Sequence, residues 1–366
     1  MSGAVQGDDE RAAEHPAEPE APDPTTDAAS DAAAEAEAEA DARETTTPAG
    51  PGGSEDEPAQ APEVVRGVAE HIGKRPPSYP AHPRTKPSLR DGDRVAALTP
   101  DILVDGITIG RLTARGVSVR GDSHRWEGHC RQDAMAIARV GSPDTEMLLL
   151  AVADGVSSGR RSHVASQDLV HLTAANVDDD ADCLHRALLK RDEPALNGLA
   201  NKIVGRTVGE LRPRWRADAG ADYSDRDHAT TLHVLLVPVQ ESIRERLLVS
   251  VGDGGLRVCR GGAWTEDDTP SSECLLDPRT AALPGSYDTV ETRLFTSAPG
   301  DLLLLATDGV TEPLRQEPEF ARRLAGYWGQ GEVPAPSDFL WQAQLRAKSY
   351  DDDRTVVCLW ERGATP

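Results

Sequence analysis

Residues Leu148 to Gly155 read LLLAVADG, a fully apolar run that stops on Asp154 and Gly155. A short apolar run bounded by turn residues predicts a strand buried on both faces. The pattern occurs twice more, as LLVSVGDG over Leu247 to Gly254 and as LLLLATDG over Leu302 to Gly309. Three apolar strands therefore each deliver an Asp-Gly pair at their C-terminal end. If they share one core, Asp154, Asp253 and Asp308 meet at one rim.

Such a meeting is unfavourable without a counter-ion, because two carboxylates 4 to 5 Å apart at an effective dielectric near 20 repel by roughly 3 to 4 kcal/mol. A divalent cation resolves it. The three runs contain no Cys or His, so they offer oxygen only, which suits Mg²⁺ or Mn²⁺ better than zinc. A single Asp-Gly after a strand is ordinarily just a turn. Three of them, with the acidic triplet Asp351-Asp352-Asp353 before the last strand, shift the balance toward a metal centre.

The 366 residues suffice for one large or two ordinary domains. Charge is unevenly spread: residues 1–63 hold 18 acidic and 2 basic residues, most of the total net charge of −23. The segment AAAEAEAEADA in this region, nearly free of aromatics, cannot bury enough apolar surface to order itself, so 1–63 is expected to be a disordered acidic tail. Residues 64–98, with GKRPPSYPAHPRTKPSLR, are expected to be a Pro-rich basic linker. The globular domain is expected over 99–362. Five dispersed cysteines without metal-ligand spacing fit reduced thiols. No run approaches 18 apolar residues and no basic start precedes an apolar stretch, so the expectation is a cytoplasmic protein that engages neither membrane nor nucleic acid.

Within the domain, ILVDGITIG and LTARGVSVRG alternate as antiparallel strands do. The segment GDSHRWEGHCRQDA reads as a polar loop entering a strand over Ala134 to Val140. Amphipathic helices are predicted over Ser162 to Asn176 and Ala195 to Leu211, with an exposed acidic turn over Asp178 to Asp182 between them. Further strands are predicted over His228 to Val239 and Thr355 to Trp360. Helices are predicted over Phe320 to Trp328 and Ser337 to Lys348, the latter N-capped by Ser337. Strands and helices that come in blocks, rather than in strict alternation, indicate an α+β fold of antiparallel sheets with helices packed outside.

The ordered series QDA (132–134), ADG (153–155), ATT (229–231), GDG (252–254), ATDG (306–309) and DDRTVV (352–357) resembles the metal-dependent protein serine/threonine phosphatases, the type 2C or PPM family, and within it a divergent bacterial branch. The resemblance spans Gly116 to Trp360; each motif alone is weak, and six in order are strong. It implies a sandwich of two antiparallel β-sheets flanked by helices, with two Mg²⁺ or Mn²⁺ ions and a third, weaker site. It implies that Asp154 bridges two metals, that the Gly155 carbonyl holds one, that Asp308 and Asp352 complete the other, that Asp253 serves the third, and that Asp133 orients water. The implied substrate is a phosphorylated protein, hydrolysed at phosphoserine or phosphothreonine.

Three positions depart from the family pattern. Gln132 stands where a Glu is usual, supplying an amide oxygen to the metal set with one less charge. The usual phosphate-gripping Arg falls on Gly128, leaving Arg125, Arg131, His124 and His129 as phosphate-binding candidates within what is otherwise a polar surface loop. Val156 stands where a proton-donating His sometimes occurs. Gln132 and the missing Arg motivate the alternative of a catalytically weak regulatory module that binds phosphorylated partners. Asp253 to Asp308 spans only 55 positions, which implies a shortened flap over the site.

Overall fold

The computed structural model describes residues 70–73, 77–79, 85–265, 281–287 and 289–361, all within the unit Val64–Pro366. The expected acidic tail lies outside the described residues, as does part of the short stretch between Asp253 and Asp308. In chain order the elements are β1 (His71–Ile72), α1 (Arg94–Leu98), β2 (Ile102–Ile109), β3 (Leu112–Val119), α2 (Asp122–Glu127), β4 (Ala134–Val140) and β5 (Met147–Ala153). Next come α3 (Ser162–Asp179), α4 (Ala181–Lys190), α5 (Glu193–Ala219), β6 (Leu232–Pro238), β7 (Glu245–Val251), β8 (Gly255–Arg260) and β9 (Ala263–Trp264). The chain closes with β10 (Glu291–Thr296), β11 (Leu302–Ala306), α6 (Asp308–Gln316), α7 (Pro318–Trp328), α8 (Pro336–Ala343), β12 (Arg346–Ala347) and β13 (Arg354–Glu361).

Two antiparallel sheets form, ordered β10-β7-β6-β5-β4 and β2-β3-β13-β11-β8-β9. Alternation along β5 explains why its sequence is apolar throughout. Leu148, Leu150 and Val152 point between the sheets and pack with Leu303, Leu305, Val357 and Leu359 of the other sheet. Met147, Leu149, Ala151 and Ala153 point outward under Leu169, Leu196, Val204 and Trp215 of α3 and α5. The second sheet repeats the arrangement, its outer face (Leu302, Leu304, Val356, Cys358) packing on Phe320, Leu324 and Trp328 of α7 and Phe339 of α8. The molecule is thus a β-sandwich with helices on both outer faces, the α+β architecture expected from the sequence.

Register places the site. Ala134 of β4 is opposite Ala153 of β5, so Asp133 and Asp154 leave the sheet at one end. Ala306 of β11 is opposite Val356 of β13, so Asp308 and the triplet ending at Asp353 leave the other sheet together. Leu232 of β6 is opposite Val251 of β7, and Asp253 follows.

Several local expectations are corrected. The supposed polar loop before β4 contains α2, whose Asp122, His124 and Arg125 are buried. The supposed acidic turn Asp178 to Asp182 is a one-residue break at Asp180 between α3 and α4, where Lys202 Nζ binds Asp180 Oδ1 at 2.8 Å. Helix α5 runs past Leu211 and through Pro213 to Ala219. An interior proline costs about 3 kcal/mol. Burial of the Trp215 side chain, 1 % exposed, returns roughly 4 to 6 kcal/mol from some 150 to 250 Å² of apolar surface, and its indole Nε1 donates to Asp168 Oδ2 at 2.8 Å. The helix expected from Ser337 starts at Pro336 with Ala335 as N-cap and ends at Ala343.

The stretch read as an extended linker carries structure in its described parts. β1 pairs in parallel with β12, Ile72 joins the outer core under α7 and α8, and α1 is N-capped by Asp93, which accepts from Ala96 N at 2.9 Å. Among the described residues no helix is long and apolar enough to cross a membrane, and Cys130, Cys183, Cys259 and Cys358 are free thiols.

Candidate metal centre

Two glycines allow three segments to close on one another. A Cβ on Gly309 would stand 1.9 Å from the Asp353 carbonyl oxygen, so only glycine lets the start of α6, with Asp308, lie against the Asp352–Asp353 loop. A Cβ on Gly121 would stand 2.5 Å from the Asp352 carbonyl carbon, so only glycine lets α2 begin there and carry His124 to the same loop.

Asp353 is the anchor of this junction. It is 2 % exposed and accepts from Gly121 N at 2.6 Å, Gln132 N at 2.6 Å, Asp133 N at 3.2 Å and His124 Nδ1 at 2.9 Å. Burial works against its charge, but the His124 contact and the backbone donors outweigh it and hold the carboxyl below its ordinary value. His124 responds in kind. Burial opposes its charged form, yet the bond to Asp353 and the charges of Asp353, Asp352 and Asp133 raise it to about 9.

The remaining carboxylates are pushed the other way. Asp133 is 1 % exposed; its Oδ2 accepts from Thr307 Oγ1 at 2.8 Å, while its Oδ1 is buried without a hydrogen-bond partner. Burial and the charge of Asp353 push its carboxyl up to about 8. Burial and the charges of Asp133 and Asp308 push Asp154 well above its ordinary value. Burial, then Asp253 and Asp352, push Asp308 up to about 6. Burial and Asp353 likewise raise Asp352. The fold has thus gathered negative charge from both sheets at one rim, with His124, Arg131 and Arg354 as cations around the Asp352–Asp353 end of it. A divalent cation fits this donor set: the ligands are oxygens, Asp133, Asp154 and Asp308 remain raised by burial and by neighbouring carboxylates, and Asp133 Oδ1 and Gln132 Oε1 are both buried and unpartnered.

Of the phosphate candidates, Arg131 is interior, its guanidinium donating to the Asp133 carbonyl, to Ser118 Oγ at 2.7 Å and to the Pro100 carbonyl at 3.2 Å. Arg125 is buried against Asp122 at 3.3 Å, which also holds Arg346 at 2.8 Å. His129 is exposed, 3.3 Å from Glu127, with its ring edge-on to His124 at a 6.0 Å centroid distance. His124 faces the acidic loop, with Nε2 3.9 Å from Asp352 Oδ1. Gly155 is bridged to Thr230 of the ATT motif, and Thr231 Oγ1 accepts from Asp154 N at 2.9 Å. Asp253 is exposed, its carbonyl held by His233 Nε2 at 2.6 Å. Asp353, Thr307 and Thr355 were not singled out by sequence reasoning. The only signal for Asp353 was the acidic triplet itself, and for the threonines nothing distinguished a strand-end hydroxyl from an ordinary one.

The family model for protein phosphatase 2C matches residues 120–346. No curated protein sequence matches. Solved structures with similarity include a bacterial serine phosphatase, 19% identical over 69% of this chain and 99% of that one at a TM-score of 0.47. Also similar are the Mycobacterium tuberculosis serine/threonine phosphatase PstP/Ppp, at 22% identity, 71% and 100% coverage and a TM-score of 0.40, and RsbX in complex with magnesium, at 14%, 70% and 98%, and 0.44. With the family model covering more than half of its length, the chain belongs to the protein phosphatase 2C family.

Proposed function

We propose that this chain is a Mg²⁺- or Mn²⁺-dependent phosphatase that hydrolyses phosphoserine and phosphothreonine in protein substrates. The observation that carries the reading is the rim itself, where Asp133, Asp154 and Asp308 all stand above their ordinary carboxylate values because each is buried beside another. A module that only bound phosphorylated partners would gain nothing from anions that repel phosphate.

In this reading Asp154, the Gly155 carbonyl, Asp308 and Asp352 hold two cations, Gln132 Oε1 supports them, and Asp253 contributes to a third, weaker site. When bound, the cations neutralise the phosphoryl oxygens and make a water nucleophilic near neutral pH. Asp133 Oδ1, buried and free, accepts a hydrogen bond from a water at the rim and turns its lone pair toward phosphorus, while Thr307 holds the other carboxylate oxygen. His129, the exposed member of the phosphate candidates, would meet an incoming phosphate by giving up its contact with Glu127. Arg125 and Arg131 keep their donors in the interior. No protein nucleophile is called for: the nearby Cys130 thiol is pushed up to about 12 by burial and by Asp353, so it is not a thiolate. Phosphoryl transfer asks chiefly for positioning and charge neutralisation, which this arrangement supplies.

The test is hydrolysis of a phosphothreonine peptide by the full chain with Mn²⁺, with Mg²⁺ and with chelator, beside Asp308→Ala. Metal-dependent turnover that is lost in the variant supports the reading. Metal binding without turnover would replace it with the regulatory module that binds phosphorylated partners.

A further inference from the structure

The apolar runs offered oxygen ligands only, but tertiary packing brings a nitrogen to the same rim. His124, Asp352 and Asp353 converge, with ligand atoms within 4.8 Å of one another. Their roles are not equivalent. Asp353 already accepts from three backbone N–H groups, so in its contact with His124 the ring Nδ1 is the donor. That leaves Nε2 turned to Asp352 Oδ1, 3.9 Å away, a separation too long for a hydrogen bond. Beside them Gln132, 9 % exposed, has a buried Oε1 with no partner.

We infer that His124 Nε2 and Asp352 are joint ligands of a divalent cation, with Asp353 fixing the imidazole from behind. The inference rests on the metal-centre reading above and adds to it a nitrogen ligand. A carboxylate that takes the far ring N–H is the usual support of a metal-bound histidine, since it sets the tautomer and the ring orientation. The ring is buried, at 6 % exposure, and cannot swing away, whereas the Asp352 side chain is 51% exposed and, among the described residues, tethered only by the Asp353 N–H on its Oδ1 at 2.7 Å, so it is the partner that moves to close the gap. Ligands at about 2.1 Å from one ion stand roughly 3 Å apart, so Asp352 has to move by only about 1 Å. The consequence is selectivity. Imidazole favours first-row transition ions over Mg²⁺, which prefers oxygen and gives up water reluctantly.

The experiment is pulsed electron paramagnetic resonance of Mn²⁺ bound to the full chain, with natural-abundance and with ¹⁵N-labelled histidine, so that the primary reading needs no variant. A hyperfine coupling from a directly bonded nitrogen that changes with the label is expected. His124→Gln should abolish it and weaken Mn²⁺ binding in calorimetry by roughly tenfold or more, while Mg²⁺ affinity changes by less than about threefold. Bound Mn²⁺ with no nitrogen coupling overturns this inference and leaves the metal centre standing. Absence of any Mn²⁺ binding removes both. If His124→Gln leaves both metal affinities unchanged and weakens inorganic phosphate instead, the imidazole is a phosphate contact and the inference is wrong.

Discussion

The hydroxyl of Thr307, at the end of β11, donates to Asp133 Oδ2 at 2.8 Å, tying the strand end of one sheet to the entry of β4 in the other. It is a polar contact between the two halves of the sandwich at the rim where the acidic groups collect. Thr307 also receives the Thr355 N–H at 3.2 Å, so the same oxygen spans three strands. Replacing it with Val keeps the shape and leaves a buried carboxylate oxygen without its donor. The expected loss is about 1 to 3 kcal/mol of unfolding free energy, read as a lower denaturant midpoint with unchanged slope. An unaltered midpoint would show that Asp133 finds another donor.

Asp308→Asn separates stability from activity. It removes one charge from a group of mutually repelling carboxylates, so the metal-free variant should melt at or above the wild-type temperature while hydrolysis falls by at least about 100-fold. A variant that melts well below wild type in chelator would mean that Asp308 is held by a stabilising contact rather than repelled.

The pH dependence of the metal-free protein follows from the signs of the shifts. Asp133 and Asp308, raised to about 8 and about 6, contribute stability that is present below the unfolded carboxylate value and is lost as pH rises through those values. His124, raised to about 9, acts in the same direction, its contribution being complete below about 6.5 and lost as pH rises through 9. Asp353, lowered, opposes them only in acid below its ordinary value. In chelator the melting temperature should therefore fall between pH 5 and pH 8. Added Mn²⁺ should flatten that slope. A chelated protein that melts higher at pH 8 than at pH 5 would contradict the repulsion at the rim.

Gln132→Glu should tighten Mn²⁺ binding, because Gln132 Oε1 is buried and unpartnered and a carboxylate there adds charge to the cation's surroundings. Calorimetry reads it directly. An unchanged dissociation constant would place Gln132 outside the coordination sphere.

The segment ahead of the sandwich is joined to the site through α2. Arg120 Nη1 donates to the Thr85 carbonyl at 2.8 Å, Thr85 N donates to the Arg125 carbonyl at 3.2 Å, and the ring of Tyr79 meets Trp126 at a 5.9 Å centroid distance. Arg323 and Tyr327 both hold Glu70. A chain starting at residue 99 should melt several degrees below one starting at 64, since even 2 kcal/mol corresponds to roughly 4 to 8 °C at this size. Coincident melting curves would show that residues 70–98 only rest on the domain.

Some of this protein could be read along the chain alone. The strands β5, β7 and β11 were visible because burial on both faces demands an uninterrupted apolar run, and the Asp-Gly pairs that end them were visible because they break it. The order of six short motifs led to the family, since order survives where identity has decayed. Other features depend on what lies across the fold. The helix predicted to Leu211 runs on through Pro213 because Trp215 has a core to enter, and the segment before β4 reads as a polar loop because partners such as Asp353 for His124 lie 229 residues away. His124 meets Asp353 only because glycines at 121 and 309 let backbones approach more closely than any side chain permits. Composition and periodicity report how each segment meets water, and so reveal the layers of the sandwich. Which charge faces which at the rim is a long-range contact, decided by strand register and close backbone packing, and no local pattern records it.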